Sequence, residues 1–155
     1  MATRGIIAME LANGRWHGRY AHWDNNPERM TTVLSNLVER DGILDVYRTL
    51  LINNYSWSVI DDTQTAKDEL GYDKNNVVVG YGVKHDDVTD SESWYDSESM
   101  CLSWADYLYV MNRHGVSVYT VNTVITKDNP DGESKDITKL QSVHTWEELR
   151  NRVTA

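Results

Sequence analysis

The chain has 155 residues, 40% of them hydrophobic and 25% charged, which is typical of one folded domain. Its formal net charge is −9, and the excess negative charge lies in residues 55–155. Direct binding to nucleic acid is therefore not expected, because phosphate contacts need clustered Lys and Arg. The sequence contains no apolar run long enough for a membrane span and no signal-peptide pattern, so we expect a cytosolic protein.

The cysteine and aromatic content limits which kinds of site the chain can form. The single cysteine, Cys101, excludes an internal disulfide and a multi-cysteine metal site, and we expect it to be a small core residue. The chain has six Trp, nine Tyr and no Phe, and Trp and Tyr suit half-buried surfaces and interfaces. Core positions are expected for Trp104 and Trp146, while Trp16, Trp23 and Trp94 fit either a core or an interface.

The N-terminal segment predicts a β-hairpin. An apolar run, Gly5–Leu11, is followed by Asn13-Gly14, which tolerates the positive φ angles of a tight turn. The second strand begins at Arg15 and ends in a cluster of polar and aromatic side chains, His22-Trp23-Asp24. We therefore expect functional chemistry at the end of this strand.

Two helices are predicted after the hairpin. Asn26 can cap a helix over Glu28 to Arg40, with Pro27 in the first turn. Asp41-Gly42 breaks this helix, and a second helix covers about Ile43 to Asn53. Because the connection is so short, the two helices should form an αα-hairpin packed on a sheet.

The remainder of the chain alternates strands with polar loops. The predicted elements are an irregular segment around Trp57, a strand over Val77–Val83, a hairpin of Asp106–Met111 with Val116–Asn122, a polar loop over Lys127–Lys139, and a helix capped by Thr145 that ends near Val153. Together they predict a single α+β domain over residues 1–155. Its mostly antiparallel sheet would have about four to six strands, with the αα-hairpin and the C-terminal helix packed on one face.

Four blocks of the sequence carry a resemblance to a known family. They are Thr3–Ala8 (TRGIIA), Tyr20–Pro27 (YAHWDNNP), Gly80–Asp87 (GYGVKHDD) and Ala105–Val110 (ADYLYV). Their order resembles a family of small proteins from bacteriophage and prophage genomes, whose pattern is Met-Gly-Thr-Arg-Ser, an HWDGYP block and an Asp-x-Tyr-x-Tyr strand. The chain departs from this pattern at Ala2 and at Asn25-Asn26. The resemblance implies a phage accessory protein and supplies no catalytic residues.

Alternation along the second strand places basic side chains on one face. Arg15, His17 and Arg19 share that face with Ala21 and Trp23, whereas Trp16, Tyr20, His22 and Asp24 share the other. The basic face could hold an anion, such as a nucleotide phosphate or an acidic surface of a partner. The alternative is a solvated strand face whose cations pair with the protein's own carboxylates.

The pair His22 and Asp24 could orient an imidazole for base chemistry, although no nucleophile motif accompanies it. The structural alternative is an ion pair between Asp24 and Arg4, which hairpin counting places roughly level with each other. The candidate ligand- or partner-binding residues are therefore Arg4, Arg15, His17, Arg19, Tyr20, His22, Trp23 and Asp24, and no catalytic residue is assigned.

No metal or cofactor is expected. The best local ligand cluster is His85-Asp86-Asp87, but it lacks the spacing of a known metal motif and is better explained as a solvated loop. The acidic run over residues 86–98 contains Trp94 and Tyr95. This run could imitate a polyanion or anchor a partner, or it could only increase solubility.

Three functions remain open. The first is a non-enzymatic phage protein that binds and inhibits a host protein, for example one of a defence system. The second is a nucleotide-sequestering protein, in which Arg4, Arg15, Arg19 and His17 would hold phosphates and an aromatic ring would stack on the base; such binders often form symmetric homo-oligomers. The third is a small hydrolase that uses His22 and Asp24.

Overall fold

The predicted N-terminal hairpin is confirmed. In the computed structural model, which describes residues 3–66, 74–85, 94–99, 101–125 and 134–154, β1 spans Gly5–Glu10 and β2 spans Trp16–Ala21. The strands pair antiparallel from Gly5 opposite Ala21 to Glu10 opposite Trp16. Between them, Asn13 and Gly14 have φ angles of 66° and 74°, the left-handed conformation that this dipeptide tolerates.

Two helical segments follow, with the predicted boundary between them. Helix α1 spans Pro27–Asp41, and the Asn26 side chain caps it by accepting a hydrogen bond from the Arg29 N–H at 3.1 Å. Gly42, with φ of 85°, separates α1 from α2, which spans Ile43–Tyr47. The chain then continues as a π-helical turn over Arg48–Ile52.

Side chains from elsewhere satisfy the carbonyls of this π-helical turn. The carbonyl oxygens of residues 49–51 accept hydrogen bonds, in order, from the Asn54 amide at 2.7 Å, the Trp57 indole at 2.9 Å and Nε of Arg19 at 2.9 Å. The helix ends at this turn, so its last carbonyls have no backbone N–H of the helix to accept from and need other donors. These three side chains supply them.

The remaining elements complete a single sheet. They are β3 (Ser56–Ile60), β4 (Val77–Val78), β5 (Gly82–Lys84), β6 (Tyr95–Asp96), β7 (Tyr107–Met111), β8 (Gly115–Ile125), β9 (Ser134–Thr145) and the helix α3 (Trp146–Thr154). The strand order is β4-β5-β3-β2-β1-β7-β8-β9. Strand β6 pairs with the first half of β2, on the side where the second half of β2 pairs with β3. The pairs β1–β7 and β2–β3 are parallel, whereas the other pairs are antiparallel.

The α+β class is confirmed, but the predicted architecture is wrong. The described ranges form a mixed sheet of nine strands instead of four to six antiparallel ones. The αα-hairpin is also wrong, because α2 is only five residues long and continues as the π-helical turn. Parallel pairing joins segments that are distant along the chain, so local patterns do not reveal it.

Three segments explain three of the four additional strands, and the fourth is β6 in the acidic run. The segment around Trp57, predicted as irregular, is the fully buried β3, whose polar Ser56 and Ser58 donate to backbone carbonyls. The predicted strand over residues 77–83 is a tight hairpin of β4 and β5. Residues 134–139 of the predicted polar loop belong to β9, and residues 127–133 of that loop lie outside the described residues. By contrast, the hairpin of β7 and β8 and the Thr145 cap, 3.1 Å from the Glu148 N–H, are confirmed.

The sheet has a core on each face. The larger core lies between the sheet and the helices and contains Ile7, Leu34, Trp57 and Tyr109. The smaller core lies on the opposite face and contains Ile6, Ala8 and Leu108, covered by Leu102 and Ala105. None of the helices in the described ranges is long and apolar enough to cross a bilayer.

Replacing Trp57 tests the π-helical turn. Trp57→Phe keeps an aromatic ring in the core but removes the indole N–H that donates to the Leu50 carbonyl. Leaving a buried acceptor without a donor should lower the free energy of unfolding by about 1–3 kcal/mol, measured by urea denaturation. Trp23→Phe, at a ring that is 40% exposed, is the control and should change it by less than about 0.5 kcal/mol. Equal effects of the two changes would contradict this account.

Candidate functional site

The strand β2 divides the candidate residues between the two faces of the sheet. Its register with β1 places Arg19 opposite the helix-facing Ile7, so His17 and Arg15 also face the helices. Tyr20 is opposite Ile6 and faces the other side, together with His22. The candidate residues therefore do not form a single site.

Arg19 is a core residue, whereas the sequence predicted that its face of the strand would be exposed to solvent. Its side chain is only 1% exposed. Its guanidinium carbon lies 3.4 Å from the centre of the Trp94 ring and 5.2 Å from that of Tyr55, while Nε donates to the Leu51 carbonyl at 2.9 Å. Burying a guanidinium is costly unless such contacts replace water. Arg19 thus stabilises the core and is not available at the surface.

His17 lies beside Arg19 under the same indole. The His17 ring stacks on Trp94 with centroids 4.2 Å apart and an interplanar angle of 3°, and its Nε2 is 2.7 Å from the Tyr47 hydroxyl. Burial lowers the pKa of His17 below its usual value, the positive charge of Arg19 lowers it further, and Asp96 opposes both. The imidazole is therefore neutral at pH 7 and acts as a packing and hydrogen-bonding group.

Arg15 is the exposed member of this face. Its side chain is 67% exposed and lies 3.7 Å from the carboxylate of Glu98, which is 76% exposed, so the pair contributes little to stability. Beside it is a cleft of about 310 Å³, whose lining includes Arg15, Trp16, His17 and Trp94. A cleft of this size could admit only a small ligand.

On the opposite face, Tyr20 and His22 belong to a second cluster. The Tyr20 hydroxyl lies 2.7 Å from Nδ1 of His22, and the His22 and His85 rings are 6.3 Å apart. Burial lowers the pKa of His22, and electrostatic interactions with Arg4 and His85 lower it further. Burial likewise raises the pKa of Tyr20, although Arg4 opposes this effect. Arg4, Tyr20, His22 and His85 are thus brought together.

Asp24 does not belong to this cluster. Its φ of 60° places it in a left-handed turn, where its carbonyl accepts a hydrogen bond from Arg29 at 3.0 Å. The predicted Arg4–Asp24 ion pair is wrong, because these two described residues are not bridged and the hairpin register places Arg4 opposite His22. Since Nδ1 of His22 bonds to Tyr20, the predicted imidazole–carboxylate pair is not formed either.

The acidic run and the metal candidate are only partly visible. Residues 86–93, including Asp86 and Asp87, lie outside the described residues. The rest of the run has structural contacts, since Trp94 covers Arg19 and Tyr95 packs against the smaller core. In the part of the chain that the structure describes, no three His, Cys, Asp or Glu side chains are grouped to hold a metal.

Trp104, the most exposed aromatic residue among those that the structure describes, was not among the predicted site residues. This ring was expected in the core, but it is 81% exposed, and the expected core residue Cys101 is exposed as well. Both Ser103 and Trp104 have positive φ angles, of 53° and 62°. Nothing in the sequence marks this turn, because neither residue type favours the left-handed conformation. The prediction of a core position for Trp104 is therefore wrong.

Acid should destabilise the protein through His17. Because the folded state lowers the pKa of His17, the unfolded state binds its proton first. The contribution of neutral His17 to the free energy of unfolding is complete above about pH 6.5. It is lost as the pH falls through the pKa of His17 in the folded state. We expect the free energy of unfolding to fall between about pH 8 and pH 5, and to fall less in His17→Gln. His114→Gln, at an exposed ring, is the control. An equal acid loss in wild type and His17→Gln would contradict the assignment.

Comparisons with protein families, with curated proteins and with solved structures found no match for the chain. The resemblance to the bacteriophage small-protein family therefore stays a prediction.

Proposed function

We propose that the chain is a non-catalytic accessory protein of a bacteriophage, which acts in the host cytosol by binding and blocking a host protein, for example one of a defence system. The observation that carries this proposal is the presentation of Trp104. Tryptophan is among the residues that contribute most to protein–protein binding, because its large ring buries much area with few degrees of freedom. A ring that is 81% exposed leaves that area unused.

The backbone that presents Trp104 is strained. The Ala105 N–H donates to the Leu102 carbonyl at 3.0 Å, which closes a turn around Ser103 and Trp104. Both central residues are left-handed, a conformation that costs a non-glycine residue about 1 kcal/mol. Because the exposed ring gains little from packing, its own burial does not offset this cost. Strain retained at an exposed residue is typical of functional positions.

The turn is fixed at both ends. Leu102 and Ala105 are only 2% and 5% exposed and pack in the smaller core. The Leu102 N–H donates to the Asp136 carboxylate on β9 at 2.7 Å, and the Ser103 hydroxyl bonds to that of Tyr95. A rigid base holds the ring in place before binding, which reduces the entropy lost on association.

The surrounding surface supports a protein partner. On β9, the strand that holds the turn through Asp136, Ile137, Leu140 and Val143 are 43%, 51% and 63% exposed. Of these, Leu140 and Val143 lie opposite Tyr119 and Ser117, on the face of the smaller core that also holds the turn, and exposed apolar area on that face favours a protein interface. The net charge of −9 favours a partner with a basic surface.

The two alternative functions, in the form that the sequence suggested, have less support. The nucleotide-sequestering site required Arg4, Arg15, Arg19 and His17 to converge, but Arg19 is buried and Arg4 lies near His22 on the other face. The hydrolase required His22 and Asp24 to pair, and the imidazole bonds to Tyr20 instead. Self-association remains a prediction, and light scattering on the purified protein tests it.

Replacing Trp104 should separate binding from stability. Trp104→Gly relieves a left-handed position, so the free energy of unfolding should stay the same or rise by about 1 kcal/mol. The same change should abolish recovery of the partner when the tagged protein is used for capture from a lysate of the host. The Val79→Ser variant, at an apolar side chain that is 63% exposed, is the matched surface control and should retain the partner.

Two outcomes would contradict the proposal. One is that the wild-type protein recovers no specific partner, or that Trp104→Gly recovers the same partner in the same amount. The other is that Trp104→Gly unfolds the protein, because the ring would then have a structural role that its exposure does not indicate.

A further inference from the structure

The backbone brings three basic side chains together on the face of the sheet opposite the helices. The pairing of Gly5 with Ala21 places Arg4 across from His22 at the end of the hairpin. On the other side of β3, the His85 N–H donates to the Ser56 carbonyl at 3.0 Å, which places the His85 ring 6.3 Å from that of His22. Strands β1 and β2 and the end of β5 therefore each contribute one basic group.

The Tyr20 hydroxyl orients the central imidazole of this cluster. The hydroxyl lies 2.7 Å from Nδ1 of His22 and also interacts with the Arg4 guanidinium. Because a guanidinium can only donate, the hydroxyl can accept from Arg4 and donate its own hydrogen to Nδ1. A neutral His22 then carries its hydrogen on Nε2, so that it can donate to a ligand.

Basic side chains surround His22 in the described ranges. The side chains that act on its pKa are Arg4 and His85, and both are basic residues. The carboxylate of Asp106 accepts the Arg4 backbone N–H at 3.0 Å and acts on Tyr20. A cluster of basic groups in a chain of net charge −9 favours an anionic ligand.

We propose that Arg4, His22 and His85 bind the phosphate group of a nucleotide, with the neighbouring Trp23 as the platform for its base. Trp23 is 40% exposed, and its ring centre is 4.7 Å from that of His22, so a base stacked there lies within reach of a phosphate at the cluster. The site goes beyond the proposed partner surface and is independent of Trp104. It also differs from the basic face of Arg15, His17 and Arg19.

Binding of adenosine monophosphate, adenosine and inorganic phosphate by isothermal titration tests this site. We expect adenosine monophosphate to bind most tightly, and Arg4→Gln and His22→Gln each to weaken it by about tenfold or more, as for the loss of one charged hydrogen bond. Arg15→Gln removes a cation from the other face of the hairpin and should change the affinity less than about twofold.

The wild-type protein provides a readout that does not depend on folded variants. Addition of adenosine monophosphate should shift the imidazole NMR signals of His22 and His85 and leave that of His144 unchanged. The absence of binding, equal affinity for adenosine, or an equal loss in Arg15→Gln would overturn the phosphate site. Equal affinity for inorganic phosphate would overturn the assignment of a nucleotide.

The pH dependence of sulfate binding gives an independent test, because the charge of sulfate is constant near neutral pH. Bound sulfate favours the protonated form of His22 and therefore raises the pKa of its imidazole. The affinity for sulfate should increase as the pH falls from about 8 to about 5.5, by about tenfold for each unit of this rise in pKa. The described titratable or charged groups that act on this cluster are Arg4, His85, Tyr20, Tyr95 and Asp106. A pH-independent affinity, or the same dependence in His22→Gln, would overturn the role of His22.

Discussion

The burial of Arg19 is the constraint on which the rest of the structure depends. The guanidinium lies between β2 and the π-helical turn, where Nε donates to Leu51 and the Trp94 ring covers the cation at 3.4 Å. A buried cation is tolerated only where hydrogen bonds and aromatic faces replace water. The π-helical turn provides the acceptor because it ends the helix, and the last carbonyls of a helix have no donor within it. The unusual helix and the unusual buried cation therefore stabilise each other.

The position of Arg19 decides which side of the hairpin is covered. Since side chains alternate along a strand, an inward Arg19 directs His17 towards the helices and Tyr20 and His22 towards the opposite face. Trp94 directly precedes β6 and stacks over both Arg19 and His17. These contacts hold β6 against β2. The basic cluster at His22 and the turn of Trp104 are thus separate surfaces. The proposed nucleotide site and the proposed partner surface can act independently.

Local signals in the sequence predicted the elements that depend on neighbouring residues. The Asn13-Gly14 turn and the caps at Asn26 and Thr145 were predicted correctly, because a few adjacent residues determine their backbone. Parallel pairing and the long edge strand β9 were missed, because they depend on contacts between distant segments. Alternation predicted that Arg19 shares a face with His17, but not that helices cover that face. The exposure of Trp104 follows from a left-handed turn that no local pattern announces.

The Arg19 side chain is a fixed, buried donor, and NMR of the arginine Nε–H groups tests this most directly. After transfer to D₂O at about pH 7, the Nε–H signal of Arg19 should persist long after that of the exposed Arg15 has exchanged. Its assignment is checked by its loss in Arg19→Lys. If the Arg19 signal exchanged as fast as that of Arg15, the guanidinium would be in contact with water, and the buried link between β2 and the π-helical turn would be contradicted.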